Sequence, residues 1–102
     1  MKFYKFTAVF EKEPGTKETY NVMVPALSGC LSFGRSLSEA EQNIQEAIEL
    51  YLSVLIDENK KVPKDKKVKL SKKDIAKEIL VTVKHEVSAG IPSYETAQFA
   101  SA

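Results

Sequence analysis

From Leu37 to Leu55 apolar residues recur at helical spacing: Leu37, Ala40, Ile44, Ala47, Ile48, Tyr51 and Leu55. This stripe constrains the fold most, because a helix of roughly 20 residues is a rod of ~30 Å. In a chain of 102 residues such a rod crosses a whole small domain, and the other elements must cover its apolar face. The start of the helix is written locally. Ser36 and Glu39 have capping-box spacing, the hydroxyl taking the N3 amide and the carboxylate reaching back. Ser38 and Glu41 repeat that spacing two residues later, so the start falls within this interval. Leu50, Leu52, Val54 and Ile56 lie partly off the stripe. The last two turns are therefore apolar almost all round and need cover on a second side, from a loop, the last strand or another subunit.

The flanking segments read as strands. Tyr4, Phe6, Ala8 and Phe10 alternate with Lys5 and Thr7, the pattern of a half-buried strand. Pro14-Gly15 supplies a turn, and Tyr20, Val22 and Val24 alternate after it, which predicts an antiparallel hairpin with a long loop. Pro25 to Gly29 breaks the ladder, Cys30 to Phe33 forms a short third strand, and Gly34 ends it. After the helix, Asn59 to Leu70 is a lysine-rich connection containing Pro63. Ser71 to Lys77 has the makings of a short helix capped by Ser71. Ile79, Val81 and Val83 alternate as a fourth strand. The order β-β-β-α-(short α)-β predicts a two-layer α+β sandwich: a three-stranded antiparallel sheet, a fourth strand, and one long helix on one face. A right-handed crossover would set the fourth strand parallel to one member of the sheet. The other sheet face, with Lys5, Thr7, Asn21, Met23 and Thr82, is expected to be mixed and exposed. Residues 1–88 make one domain and 89–102 a short C-terminal tail.

Composition excludes several functions. The 43% hydrophobic and 28% charged residues suit an ordinary globular domain. The longest apolar-looking run, Ala47 to Ile56, contains Glu49 and is too short to span a bilayer. The opening residues alternate at once and carry no signal-peptide core, and a single cysteine suits a reducing, cytoplasmic setting. The net charge of +1 conceals a split. Ser36 to Glu58 holds six acids and no lysine or arginine, whereas Asn59 to Lys73 holds eight lysines against Asp65.

Catalytic groups are sparse. Glu11, Glu13 and Glu18 border a turn and read as solvated charges, not as carboxylates converging on a metal ion. His85 is the only histidine and has neither a ligand set nor a positioned nucleophile around it, so a structural or surface role is expected. Cys30, after Gly29, reads as a small buried hydrophobe, with Arg35 the one nearby cation that could activate it. Gly29 and Gly34 match no phosphate-binding pattern. No catalytic residue, metal site or cofactor is expected. The lysine run could neutralise phosphates, but it lacks the arginines and aromatics that grip bases. Folding back onto the acidic helix, or remaining a solvated loop, is its simpler reading.

The stretch "VPALSGCLSFGRSLSEAEQNIQEAIELYL", Val24 to Leu52, resembles the signature of HicB-type antitoxins. In that family a Val-Pro-x-Leu-x-Gly-Cys segment leads through a glycine turn into a Leu-x-Glu-Ala helix. Val24, Pro25, Leu27, Gly29, Cys30, Gly34, Leu37, Glu39 and Ala40 match it, as do Ala47, Ile48, Leu50, Tyr51 and Leu52. The opening "FYKFTAVFEKE" and Val62-Pro63 also fit. Ala26 and Ser28 depart from it, standing where the family often has aspartate and proline. The resemblance implies a truncated, ribonuclease-H-like domain without its catalytic carboxylates. It also implies a protein that covers the active surface of a small basic RNA-cleaving toxin, HicA. Many members add a C-terminal DNA-binding module, and the about 15 residues after Val87 are too few for one.

The expected role is therefore that of an antitoxin-like, protein-binding module, cytoplasmic and homo-oligomeric. Glu39, Glu46, Glu49, Leu50 and Val54 would meet the toxin, the acids guiding encounter and the apolar helix end supplying affinity. The alternative is nucleic-acid binding through Lys60, Lys61, Lys64, Lys66, Lys67 and Lys69.

Overall fold

The computed structural model describes residues 2–83. Its strands are β1 (Lys2–Lys12), β2 (Tyr20–Met23), β3 (Leu31–Gly34) and β4 (Ile75–Val83), with the helix α1 (Leu37–Asp57) between the last two. The sheet order is β3-β2-β1-β4, and every neighbouring pair is antiparallel. Phe6, Ala8 and Phe10 of β1, Val22 of β2 and Ile79, Val81 and Val83 of β4 point at the helix. There they meet Ala40, Ile44, Ile48 and Leu52 in one buried core. The α+β sandwich with one long helix on one face is thus the fold observed.

Two details differ from expectation. Ser71 caps no helix: Ser71 to Asp74 is a turn, closed by Asp74 N–H donating to Ser71 O at 3.1 Å, and β4 begins directly after it. Local propensity loses here to pairing, because β1 is long and its ladder with β4 runs from Lys2↔Val83 to Phe10↔Ile75. The fourth strand is also antiparallel to its neighbour, running parallel in direction only to the non-adjacent β2. The chain leaves β3 at one edge, crosses under the sheet as α1 and uses the following loop to reverse before joining the opposite edge. The handedness rule for parallel crossovers has no bearing on such a connection.

Both helix ends are closed. Ser36 Oγ accepts Glu39 N–H at 3.0 Å, and Glu39 Oε1 accepts the Arg35 amide at 2.6 Å, one residue before the cap itself. At the other end Asn59 adopts φ 57°. Its N–H donates to Ile56 O and that of Lys60 to Leu55 O, the two bonds of a Schellman motif. Gly34 seats the first turn: a Cβ there would lie 2.7 Å from Ala40 Cα and from the Glu39 carbonyl carbon. His85, the boundary after residue 88 and the tail 89–102 lie outside the described residues.

Candidate functional site

The bend Pro25 to Cys30 carries the edge strand to the helix. Leu27 N–H donates to Val24 O and Cys30 N–H to Leu27 O, while Leu27 itself is buried. Gly29 takes φ 81°, which glycine adopts without cost. The Tyr51 hydroxyl donates to Ser28 O at 3.0 Å and ties the bend to the C-terminal half of α1. Between bend, β3 and helix end opens a groove of about 430 Å³, lined by Cys30, Leu31, Leu50, Tyr51, Val54 and Leu55 among others. Cys30 is buried, and that burial pushes its thiol pKa up, as expected for a packing residue.

The anticipated contact residues divide between two flanks of the helix. Leu50 and Val54 border the groove with 68% and 47% of their surface exposed, too much for side chains that serve only the core. Helical spacing sets Glu39, Asn43, Glu46, Leu50 and Asp57 in one row. The Asn43 side chain donates to Phe33 O at 2.8 Å and thereby places that row along β3. Glu49 lies on the other flank, half-buried. Glu39 is exposed, but one of its oxygens is already held by the Arg35 amide. The structure therefore gathers Glu46, Leu50 and Val54 and leaves Glu49 apart from them.

Among the described residues the lysines of the connection form no ion pair within α1 itself, and its Val62 packs against the core. Asp65 pins the connection to β1: one carboxylate oxygen accepts Thr7 N–H at 2.8 Å and the other accepts the Thr7 hydroxyl at 2.7 Å. Burial pushes the Asp65 pKa up, but the bonds from Thr7 and the Lys66 amide, with the Lys67 charge, outweigh it and hold it below the ordinary value. Val68 and Leu70 then border a cavity on the open sheet face with Thr7 and Val9. This is why Thr7, expected to be exposed, is buried, whereas Lys5, Asn21, Met23 and Thr82 are exposed as anticipated. Lys60, Lys61, Lys64, Lys66, Lys67 and Lys69 are all exposed. Among the described residues only Lys60 of that run forms an ion pair, with Glu58 at 3.0 Å, and both partners are too exposed for it to add much stability.

One feature of the surface is not evident in the sequence. Leu31 and Phe33 have 66% and 59% of their area exposed, on the open face beside Met23. Their i, i+2 spacing normally marks inward-facing residues. Gly34 reverses the assignment, because the position under the first helical turn must be a glycine, and that parity sends Leu31 and Phe33 outward. Among the described residues no group of three or more His, Cys, Asp or Glu side chains could hold a metal ion. No described helix is long and apolar enough to cross a membrane.

The fold is that of antitoxin domains. A toxin-antitoxin complex from Streptococcus pneumoniae aligns with a TM-score of 0.69 at 17% identity, covering 79% of this chain and 70% of that one. The N-terminal domain of the Burkholderia pseudomallei antitoxin HicB aligns with a TM-score of 0.56 at 22% identity, covering 79% of this chain and 99% of that one. The family model described as HicB_like antitoxin of bacterial toxin-antitoxin system matches residues 6–91, and the chain belongs to this family. Among curated relatives, a UPF0150 protein of Synechocystis sp. is 45% identical over 64 residues, 63% of this chain and 78% of that protein. A UPF0150 protein of Thermoplasma acidophilum is 41% identical over 61 residues, 60% of this chain and 86% of that protein.

Proposed function

We propose that this antitoxin neutralises a small, basic, RNA-cleaving HicA-type toxin in the cytoplasm by covering its active surface, with no turnover of its own. The observation that carries this reading is the apolar groove at the helix end, with Leu50 and Val54 exposed beside a helix whose charges are all acidic. Apolar burial there supplies affinity, and the acids raise the encounter rate and select a basic partner. A solved HicA3 and HicB3 toxin-antitoxin complex shares the fold, with a TM-score of 0.56 at 17% identity, and supports a partner of this kind. The test is binding of the toxin encoded beside this chain, measured by calorimetry at low and moderate salt. The variant Glu46→Lys, Glu49→Lys is expected to bind more weakly and with a slower on-rate. Equal binding by that variant refutes the electrostatic part, and no binding by the unaltered chain refutes the whole.

A second reading rests on the exposed lysines of the loop pinned by Asp65, of which, among the described residues, only Lys60 is ion-paired, with Glu58. They would make salt-sensitive, sequence-blind contacts with phosphates, so retention of RNA or duplex DNA at ~50 mM salt is its most favourable case. Absence of retention there removes this reading.

A further inference from the structure

Strand β3 forms one edge of the sheet, and the alternation of its hydrogen bonds is fixed. Val24 N–H donates to Cys30 O at 3.2 Å, so Val24↔Cys30 is a hydrogen-bonded pair, and by alternation Val22↔Ser32 and Tyr20↔Gly34 are hydrogen-bonded too. Leu31 and Phe33 therefore direct their backbone groups away from the sheet. Phe33 O is satisfied by Asn43. The amides of Leu31 and Phe33 and the carbonyl of Leu31 remain for another chain.

The surroundings of this edge suit a strand. Leu31 lines both the groove at the helix end and a second cavity of about 380 Å³ on the open face, where it meets Val9 and Met23. A strand added beside β3 would alternate its side chains between these two apolar surfaces, one set toward Leu50 and Val54, the other toward Leu31 and Phe33. The opposite edge is defended. Along β4, Lys77 is paired with Glu41 at 3.0 Å, Glu78 is exposed, and Gln45 donates to Leu80 O. Charged side chains on an edge deter pairing, and β3, Leu31–Gly34, has none.

We infer that β3 is a docking edge on which an extended, apolar segment of a basic partner pairs as a fifth strand. This deepens the proposed function and rests on it. The occupant follows from charge. Glu39, Glu46 and Asp57 lie in the helical row along β3. The cations nearest them are Arg35, just after the strand, and the groove-lining Lys60, which is paired with Glu58, so the row stays net acidic. A second copy paired through β3 would bring two such acidic rows face to face, which opposes self-association. A partner with lysines or arginines flanking its apolar strand turns the same row into an attraction.

The experiment uses the full chain and a catalytically inactive HicA-type toxin from the same genome. Amide hydrogen exchange is followed with and without the toxin. The Leu31 and Phe33 amides are expected to slow at least tenfold in the complex, roughly the effect of one hydrogen bond made. The variant Leu31→Pro removes an outward amide that no partner within the sheet uses, and is expected to weaken binding about tenfold, whereas Leu31→Ala keeps the amide and loses less. A complex that forms while both amides exchange as in the free chain overturns the docking edge and leaves the proposed function standing. Protection of the same amides in the free chain, with a dimer mass in solution, overturns the choice of occupant. Failure of the unaltered chain to bind the toxin removes both readings together.

Discussion

The replacement Gly34→Ala tests how the helix is held against the edge strand. The new Cβ would lie 2.7 Å from Ala40 Cα and from the Glu39 carbonyl carbon, distances that van der Waals contact does not permit. These neighbours are backbone atoms in the first turn of α1 and cannot turn aside as a side chain would. Either the helix start lifts from β3 or the strand end bends. Overpacking of this kind costs about 1–3 kcal/mol. Gly34 has no positive φ, so alanine returns about 0.4–1 kcal/mol by restricting the unfolded chain. Because the clashing atoms are backbone, the overpacking cost lies in the upper part of its range, about 2–3 kcal/mol. The net loss is then about 1–2.6 kcal/mol, and each kcal/mol lowers Tm by about 4–8 °C in a domain of this size. Thermal unfolding followed by circular dichroism measures it. A variant as stable as the parent would mean that the helix does not rest on Gly34, and the explanation for the outward Leu31 and Phe33 would fall with it.

The Asp65 latch gives a pH dependence of defined sign. Its folded-state pKa is lowered, so its stabilisation is complete above the unfolded carboxylate value of ~3.9 and is lost as pH falls through the lower folded value. The Thr7 amide should lose exchange protection in that window and, at neutral pH, in Asp65→Ala; protection that persists in both would refute the latch. The replacement Asp57→Lys should stabilise the free chain by about 0.3–1 kcal/mol through the helix dipole while weakening the toxin complex. Urea unfolding and calorimetry on the same sample check both, and a variant that gains on both counts contradicts the proposed function.

The fold was legible because its determinants are local or periodic. The alternation in β1 and β4, the helical stripe and the Ser36–Glu39 cap each state their structure within a few residues. What could not be read depends on distant partners. Ser71 and Asp74 look like a helix start until β1 requires Ile75 as a strand residue opposite Phe10. Thr7 looks like a surface position until Asp65 crosses the sheet to reach it. Leu50 and Val54 are recognisable as surplus apolar surface because they fall off the stripe, but Leu52 and Ile56, grouped with them, belong to the core or pack against it. Leu31 and Phe33 are not recognisable as exposed, because their alternation is compatible with either face and only the seat at Gly34 decides between them.

The helix's own stability also bears on the proposed role. Helix C-termini carry partial negative charge and favour cations, yet α1 ends in Asp57 followed by Glu58, with no basic residue in its last turn. Lys60 offsets one of these charges through an exposed pair of little strength. The lysines beyond it could have compensated, but Asp65 anchors their loop to β1, away from the helix row. Glu41 pairs with Lys77 of β4, but among the described residues Glu39, Glu46 and Asp57 of the row along β3 have no cation partner, at a cost to the free chain. Folded domains are stable by only about 5–15 kcal/mol, so acids opposing the dipole beside an apolar groove are poor design for an isolated molecule. They make physical sense when a basic partner completes the surface and converts that local repulsion into binding energy.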